Sequence, residues 1–195
     1  SMKGGFGGDA DWKDYRGHAF DRDHEGHWGW TTKGIREKLE GWLKGYDADI
    51  AIVLLGTNDK GKKEDVQPSA EEMKKIVKLL REDNPDVHVV ILHCFQEWDP
   101  FPALRKAYDE MAADITTEKS PVATVDTSVG WVSRPELPGT HTVDWVHPNE
   151  RGDLKLAIHA FEAIKPWLVE AGAVEDEKAE EALETWREKL AEMPK

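Results

Sequence analysis

The chain has 195 residues, 39% of them apolar, and a formal net charge of -13, a balance that suits one globular domain around one core. Charge of that sign excludes a nucleic-acid partner, because a phosphate backbone needs a basic stripe and no segment supplies one. No apolar run reaches the roughly 20 residues that cross a bilayer, so a membrane partner is not expected either. The start, Ser1-Met2-Lys3-Gly4-Gly5, carries no apolar leader, and the single cysteine, Cys94, excludes an intramolecular disulfide. The cysteine count leaves the compartment open with a lean to the cytoplasm, since secretion with a leader cut away gives the same sequence.

In chain order, residues 1–30 are rich in Gly, Asp, His and Trp, follow neither period 2 nor period 3.6, and read as loop. From Thr32 the apolar positions Ile35, Leu39, Trp42, Leu43 and Tyr46 fall on one helical face, and Gly45 ends the helix. Residues 49–55, Asp49 through Leu55, form a continuous apolar run of the kind covered on both faces in a parallel sheet, closed by Gly56. Ser69-Ala70-Glu71-Glu72 has the form of a capping box before Met73, Ile76, Val77 and Leu80, with Asn84-Pro85 as the stop. Strands at 87–95 and 122–126 flank a helical stripe of Leu104, Tyr108, Met111, Ala112 and Ile115. Pro148 takes the first position of a helix carrying Leu154, Ile158, Phe161, Ile164 and Leu168. A final charged helix over 175–193 has Ala179, Leu183, Trp186, Leu190 and Met193 as its apolar line, which calls for a partner in this chain or in another copy. The alternation predicts an α/β layered domain with a parallel sheet over 1–170 and a charged helical extension over 171–195.

Three places carry chemistry. Gly56-Thr57-Asn58-Asp59 follows a strand, at the sheet edge where α/β domains bind ligands. The Asn58 amide there can donate to a developing oxyanion, although an Asn-Asp pair also caps ordinary turns. Asp144-Trp145-Val146-His147 places a carboxylate three residues before an imidazole, so Asp144 can fix one ring nitrogen and leave the other to act as a general base. An equally simple account of that pair is a surface loop with a capping Asp and a structural His. The third place is His18, Asp21, Asp23, His24, Glu25 and His27, enough nitrogen and oxygen for a divalent metal but at no established zinc spacing. A loop built by His24 to Gly29 for another purpose explains the glycines as well and is the preferred reading, so no cofactor is expected. Of nine tryptophans, Trp28, Trp30, Trp98, Trp131 and Trp145 fall in or beside the loops expected to ring a site, where aromatic faces suit sugars or acyl groups. Trp42 and Trp167 read as core.

Taken together in order and spacing, these motifs resemble the SGNH, or GDSL-type, serine esterases and lipases. His24-Glu25-Gly26-His27-Trp28-Gly29-Trp30-Thr31 resembles the family's second sequence block, Gly56-Thr57-Asn58-Asp59 the third, and Asp144-Trp145-Val146-His147 the fifth. The resemblance covers about residues 24–168 and implies a three-layer, flavodoxin-like α/β fold. It implies Gly29 and Asn58 as oxyanion donors, His147 as base with Asp144 as its orienting acid, and Trp28, Trp30, Asp59 and Trp145 beside the substrate. The Gly26-His27-Trp28-Gly29-Trp30-Thr31 form is similar to members that deacetylate polysaccharides, so a short acyl ester, with acetylated carbohydrate as one class, is the implied small-molecule partner.

The family's first block, the Gly-Asp-Ser that carries the nucleophile, has no counterpart here. Gly7-Gly8-Asp9-Ala10 is the nearest echo, and its last residue lacks a hydroxyl. The resemblance therefore implies a chain beginning after that block, with a parallel sheet reduced by loss of its first strands. Water, Ser128 beyond one strand end and Cys94 near another are the alternatives as attacking group, while Cys94 reads more simply as a small buried core residue. Loss of the first strands would expose an apolar strand edge at 49–55, so a homo-oligomer is expected, through that edge or through exchanged terminal segments. A catalytically inactive carbohydrate-binding or assembly module is the competing expectation, and a metal-dependent hydrolase the third.

Overall fold

The computed structural model describes residues 2–3, 14–15, 18–19, 23–59 and 66–194. The opening segment, expected to be loop, contains two short antiparallel pairings: β1 (Met2–Lys3) with β4 (Asp23–His24), and β2 (Asp14–Tyr15) with β3 (His18–Ala19). Strands of two residues are too short to leave an alternating pattern in sequence. The site calls at Asp21, and at residues 4–13 including Ala10, lie outside the described residues.

Helix α1 (Thr32–Leu43) begins where Thr31 Oγ1 accepts the Gly34 amide at 3.1 Å, a cap typically worth about 1 kcal/mol. It buries Ile35, Leu39 and Leu43, as the helical spacing predicts. Three parallel strands follow at β5 (Ile50–Val53), β6 (His88–Leu92) and β7 (Val122–Val125), in the order β5-β6-β7. Ile50 stands opposite His88, and Val89 opposite Val122. The central strand is buried on both faces, which is why its sequence is an unbroken apolar run rather than an alternating one.

Helices α2 (Val66–Asp83) and α3 (Phe101–Ile115) join α1 over one face, where Met73, Val77, Leu104 and Tyr108 close around Val89 and Ile91 of β6. On the other side, α4 (Glu150–Glu170) packs against β6 and β7. The result is the expected α/β domain, with a small parallel sheet of three strands and five helices among the described residues. Helix α5 (Asp176–Glu192) lies on α4, so its partner is in the same chain. Its buried Ala179 and Leu183, the Phe161–Trp186 edge contact, and Arg151 donating to the Leu190 and Met193 carbonyls fix it there. Ile52 remains exposed on the outer strand and Leu54 just beyond its end, and among the described residues no strand pairs with the free edge of β5. No described helix is long and apolar enough to cross a membrane.

Two helix starts differ from expectation. Helix α2 begins at Val66 rather than at the Ser69 capping box, because buried Val66 extends the apolar line of Ala70, Met73 and Val77 by one turn. Glu72, freed of a capping role, bonds Arg36 and Lys75 instead. Helix α4 begins at Glu150 with Asn149 as its cap, whose side chain accepts the Gly152 amide at 3.0 Å. Pro148 therefore stands before the helix, bridged across to Thr142.

Candidate active site

The His147 loop is a tight turn running from Thr142 to Pro148. Its neck is closed by the Val143 amide donating to the His147 carbonyl at 2.9 Å. Inside it, one oxygen of Asp144 accepts the amides of His147 at 2.8 Å and Val146 at 3.2 Å, and the other lies 2.7 Å from His147 Nδ1. These bonds, the His147 amide first and its ring second, hold the Asp144 carboxyl down at about 2, so it is ionised throughout the ordinary pH range. An ionised carboxylate on Nδ1 selects the tautomer whose Nε2 is basic, the state a general base requires.

The turn stands on a buried base. His141 is stacked on Trp131 at 5.0 Å, accepts the Val132 amide at Nδ1, and is pushed down to about 4 by burial and by the nearby Lys155 and Arg151 charges. Its carbonyl accepts the Asn149 amide and lies so near α4 that a Cβ on Gly152 would sit 2.2 Å away. Position 152 can hold only glycine. Trp145, at the crest of the turn, has φ 76° and is exposed, with the Arg134 guanidinium 5.5 Å from its ring centre.

A second group gathers at the end of β5. Gly56 has φ 120°, and a Cβ there would meet Leu104 Cδ2 at 2.6 Å. The chain turns into Thr57-Asn58-Asp59, closed by the Asp59 amide on the Gly56 carbonyl at 3.0 Å. Asp59 Oδ1 accepts the Thr32 amide at 2.7 Å, and Asn58 Nδ2 donates to the Trp30 carbonyl at 3.2 Å. The first bond thus ties the Gly56 loop to the start of α1 and the second to the turn at 27–30, in which Gly29 has φ 76° and the Trp30 amide returns to the His27 carbonyl. His27 anchors that turn from within, stacked on Trp42 at 4.3 Å and against Trp30 at 4.6 Å.

The structure thus brings together Asp144 with His147, and Gly29, Trp30, Asn58 and Asp59 with one another. Trp28 and Trp145 are exposed, while Trp131 is not a rim residue: it is buried in a stack with Phe95 at 4.0 Å. Cys94 is buried, donates to the Leu55 carbonyl, and its thiol is pushed up to about 11 by that burial, which marks it as core. Ser128 is buried with its hydroxyl donating to Asp126 at 2.6 Å. Among the described residues no group of three or more His, Cys, Asp or Glu is arranged to hold a metal. Sequence reasoning missed Arg134, Thr32 and His141, whose roles depend on neighbours distant in the chain. Only Thr32 carried a signal, as the first residue of a helix.

A parallel α/β sheet with a carboxylate–imidazole pair and a glycine-led Asn turn is an arrangement that can serve ester hydrolysis. The chain belongs to the GDSL-like lipase/acylhydrolase family, whose sequence model matches residues 2–154. Among solved structures, it is similar to a family 3 carbohydrate esterase from Talaromyces cellulolyticus at 29% identity and TM-score 0.61, over 78% of this chain and 72% of that one. A serine-to-alanine mutant of an acetyl esterase, determined with an acetate ion, is 27% identical at TM-score 0.63, over 82% and 78%. The family 3 carbohydrate esterase of Clostridium thermocellum, 19% identical at TM-score 0.63 over 77% and 73%, shares the fold. No curated protein matches the sequence. Family membership and these likenesses support an esterase of the GDSL kind.

Proposed function

We propose that the protein hydrolyses short acyl esters, acetylated carbohydrates among them, with His147 as general base, Asp144 as its orienting carboxylate, and Asn58 and Gly29 as oxyanion donors. The observation that carries this reading is the 2.7 Å contact of His147 Nδ1 with a carboxylate already fixed by two backbone amides. The esterase likenesses supply the substrate class. The burial of Cys94 and the bond from Ser128 to Asp126 favour water as the attacking group. Water gives one proton to His147 Nε2 as its oxygen bonds to the acyl carbon, and the carbonyl oxygen becomes an anion that the Asn58 amide and the Gly29 N–H stabilise. Collapse breaks the ester C–O bond, and the leaving alkoxide takes the proton back from the imidazolium. Trp28, Trp30 and Trp145 line the approach for substrate, and Asp59 positions the Asn58 turn.

In this reading residues 1–170 form the hydrolase domain and 171–195 a docked helical extension. The edge of β5 left unpaired among the described residues, with Ile52 exposed on it and Leu54 just beyond, supports a homo-oligomer joined through that edge, which a monomer at micromolar concentration in sedimentation would rule out.

The test is hydrolysis of 4-nitrophenyl acetate by the protein and by His147→Ala. Removing a general base is expected to lower the rate by about 10²–10⁴-fold. Equal rates in the two proteins would favour the second reading, a carbohydrate-binding relative without catalysis, for which the burial of Ser128 and Cys94 is the supporting observation.

A further inference from the structure

We propose that Trp145 is a substrate-contact residue: its indole, backed by the Arg134 guanidinium, takes the pyranose ring of a sugar ester beside the His147 base. This deepens the carbohydrate-ester reading above and rests on it for the class of ligand.

Among the described residues Trp145 is the one non-glycine residue with positive φ, at 76°. The turn demands that conformation, since it folds the amides of Val146 and His147 back onto one oxygen of Asp144. Glycine would meet the demand freely, and asparagine nearly so. A tryptophan there is costly in backbone terms, and burial offsets the cost only in part, because the residue is 42% exposed. Strain kept at such a position points to a role for the side chain itself.

The surroundings narrow that role. Arg134 lies at cation–π distance from the ring, and its Nε donates to Glu136 at 3.0 Å, so the guanidinium is itself held in place. An indole ordered before its ligand arrives loses little freedom on binding. Trp145 lies within the turn Asp144 to His147, between the carboxylate and the imidazole in the chain, so its indole belongs to the same short loop as the proposed base. An open aromatic face matches the flat, C–H-lined face of a pyranose. With a net charge of -13, the protein also favours a neutral sugar ester over an anionic one.

The experiment uses the His147→Ala protein, in which binding is read without turnover, and two probes carrying acetyl esters: glucose pentaacetate, which has a ring, and triacetin, which has none. By titration calorimetry, adding Trp145→Gly is expected to weaken glucose pentaacetate binding about tenfold, and Trp145→Phe to restore most of it. Arg134→Met is expected to weaken it about threefold, and triacetin affinity to fall less than about twofold in any of these variants. The Trp145→Gly protein should melt within about 2 °C of its parent. Equal affinities with and without the indole, no binding of glucose pentaacetate at all, or an equal loss for triacetin would overturn the proposal. So would a melting point lowered by more than about 5 °C, which would make the indole structural. If the unmodified protein hydrolyses neither ester, the esterase reading falls, and the binding comparison still decides the role of Trp145.

Discussion

The two halves of the site are built by opposite means. The His147 turn organises itself: its carboxylate, two amides and imidazole lie within four consecutive residues, Asp144 to His147, and its side chains are about half exposed. The Gly56 turn is organised by others, through Thr32, Trp30, Leu104 and Tyr108, none of which is near it in sequence. A self-contained turn is tolerant of its surroundings and sensitive to its own side chains. A turn held by packing reverses both sensitivities, so mutations should sort the two cleanly.

The largest effect is expected for Asp144→Asn, which keeps the shape of the side chain but removes the charge that selects the tautomer of His147. Ester hydrolysis should fall by about 10²–10⁴-fold with the urea midpoint nearly unmoved, as steady-state kinetics and equilibrium unfolding on one preparation will show. Gly56→Ala is the opposite case. A Cβ at φ 120° and 2.6 Å from Leu104 should destabilise the fold by about 2–5 kcal/mol, with activity lost in parallel. An unchanged unfolding midpoint would show that the Gly56 turn is not governed by packing.

Asp59→Ala should do less, costing about 1 kcal/mol for the lost bond to the Thr32 amide and lowering kcat more than it raises KM. Asp59→Asn, which keeps an acceptor, should recover most of both. A pH-dependent effect belongs to His141 beneath the His147 turn. Its imidazole is depressed to about 4 in the fold, below its value in an unfolded chain, so protonation favours unfolding. Its contribution to stability should be complete above about pH 6.5, decline as pH falls toward about 4, and level off below. Urea midpoints across that range, flatter in His141→Asn, provide the check. Asp144 remains ionised throughout that window.

The same division explains what the sequence disclosed. The Asp144–His147 pair was legible because three-residue spacing alone can close the bond, and the central strand because burial on both faces leaves an unbroken apolar run. Family blocks at 24–31 and 56–59 marked a site, but the bonds from Asp59 to Thr32 and from Asn58 to Trp30 join chain segments 27 and 28 residues apart, beyond any local pattern. Trp131 was misplaced on the rim because a tryptophan in a loop reads the same whether it faces solvent or, as here, stacks on Phe95 and His141. The Ser69 capping box failed for the complementary reason: a good local cap signal lost to one more buried residue, Val66, a turn earlier.

The near contact between Gly152 and the His141 carbonyl carries a consequence for how this protein can vary. With only 2.2 Å available for a first side-chain carbon, any replacement must lift the opening turn of α4 away from the segment at His141 that leads to His147. The cost falls on the packing of α4 rather than within the His147 turn, so position 152 should be closed to mutational drift even though its residue makes no bond inside that turn. Directed evolution of this protein would find its freedom along the outer face of α5, and a wall at a residue that has no side chain to lose.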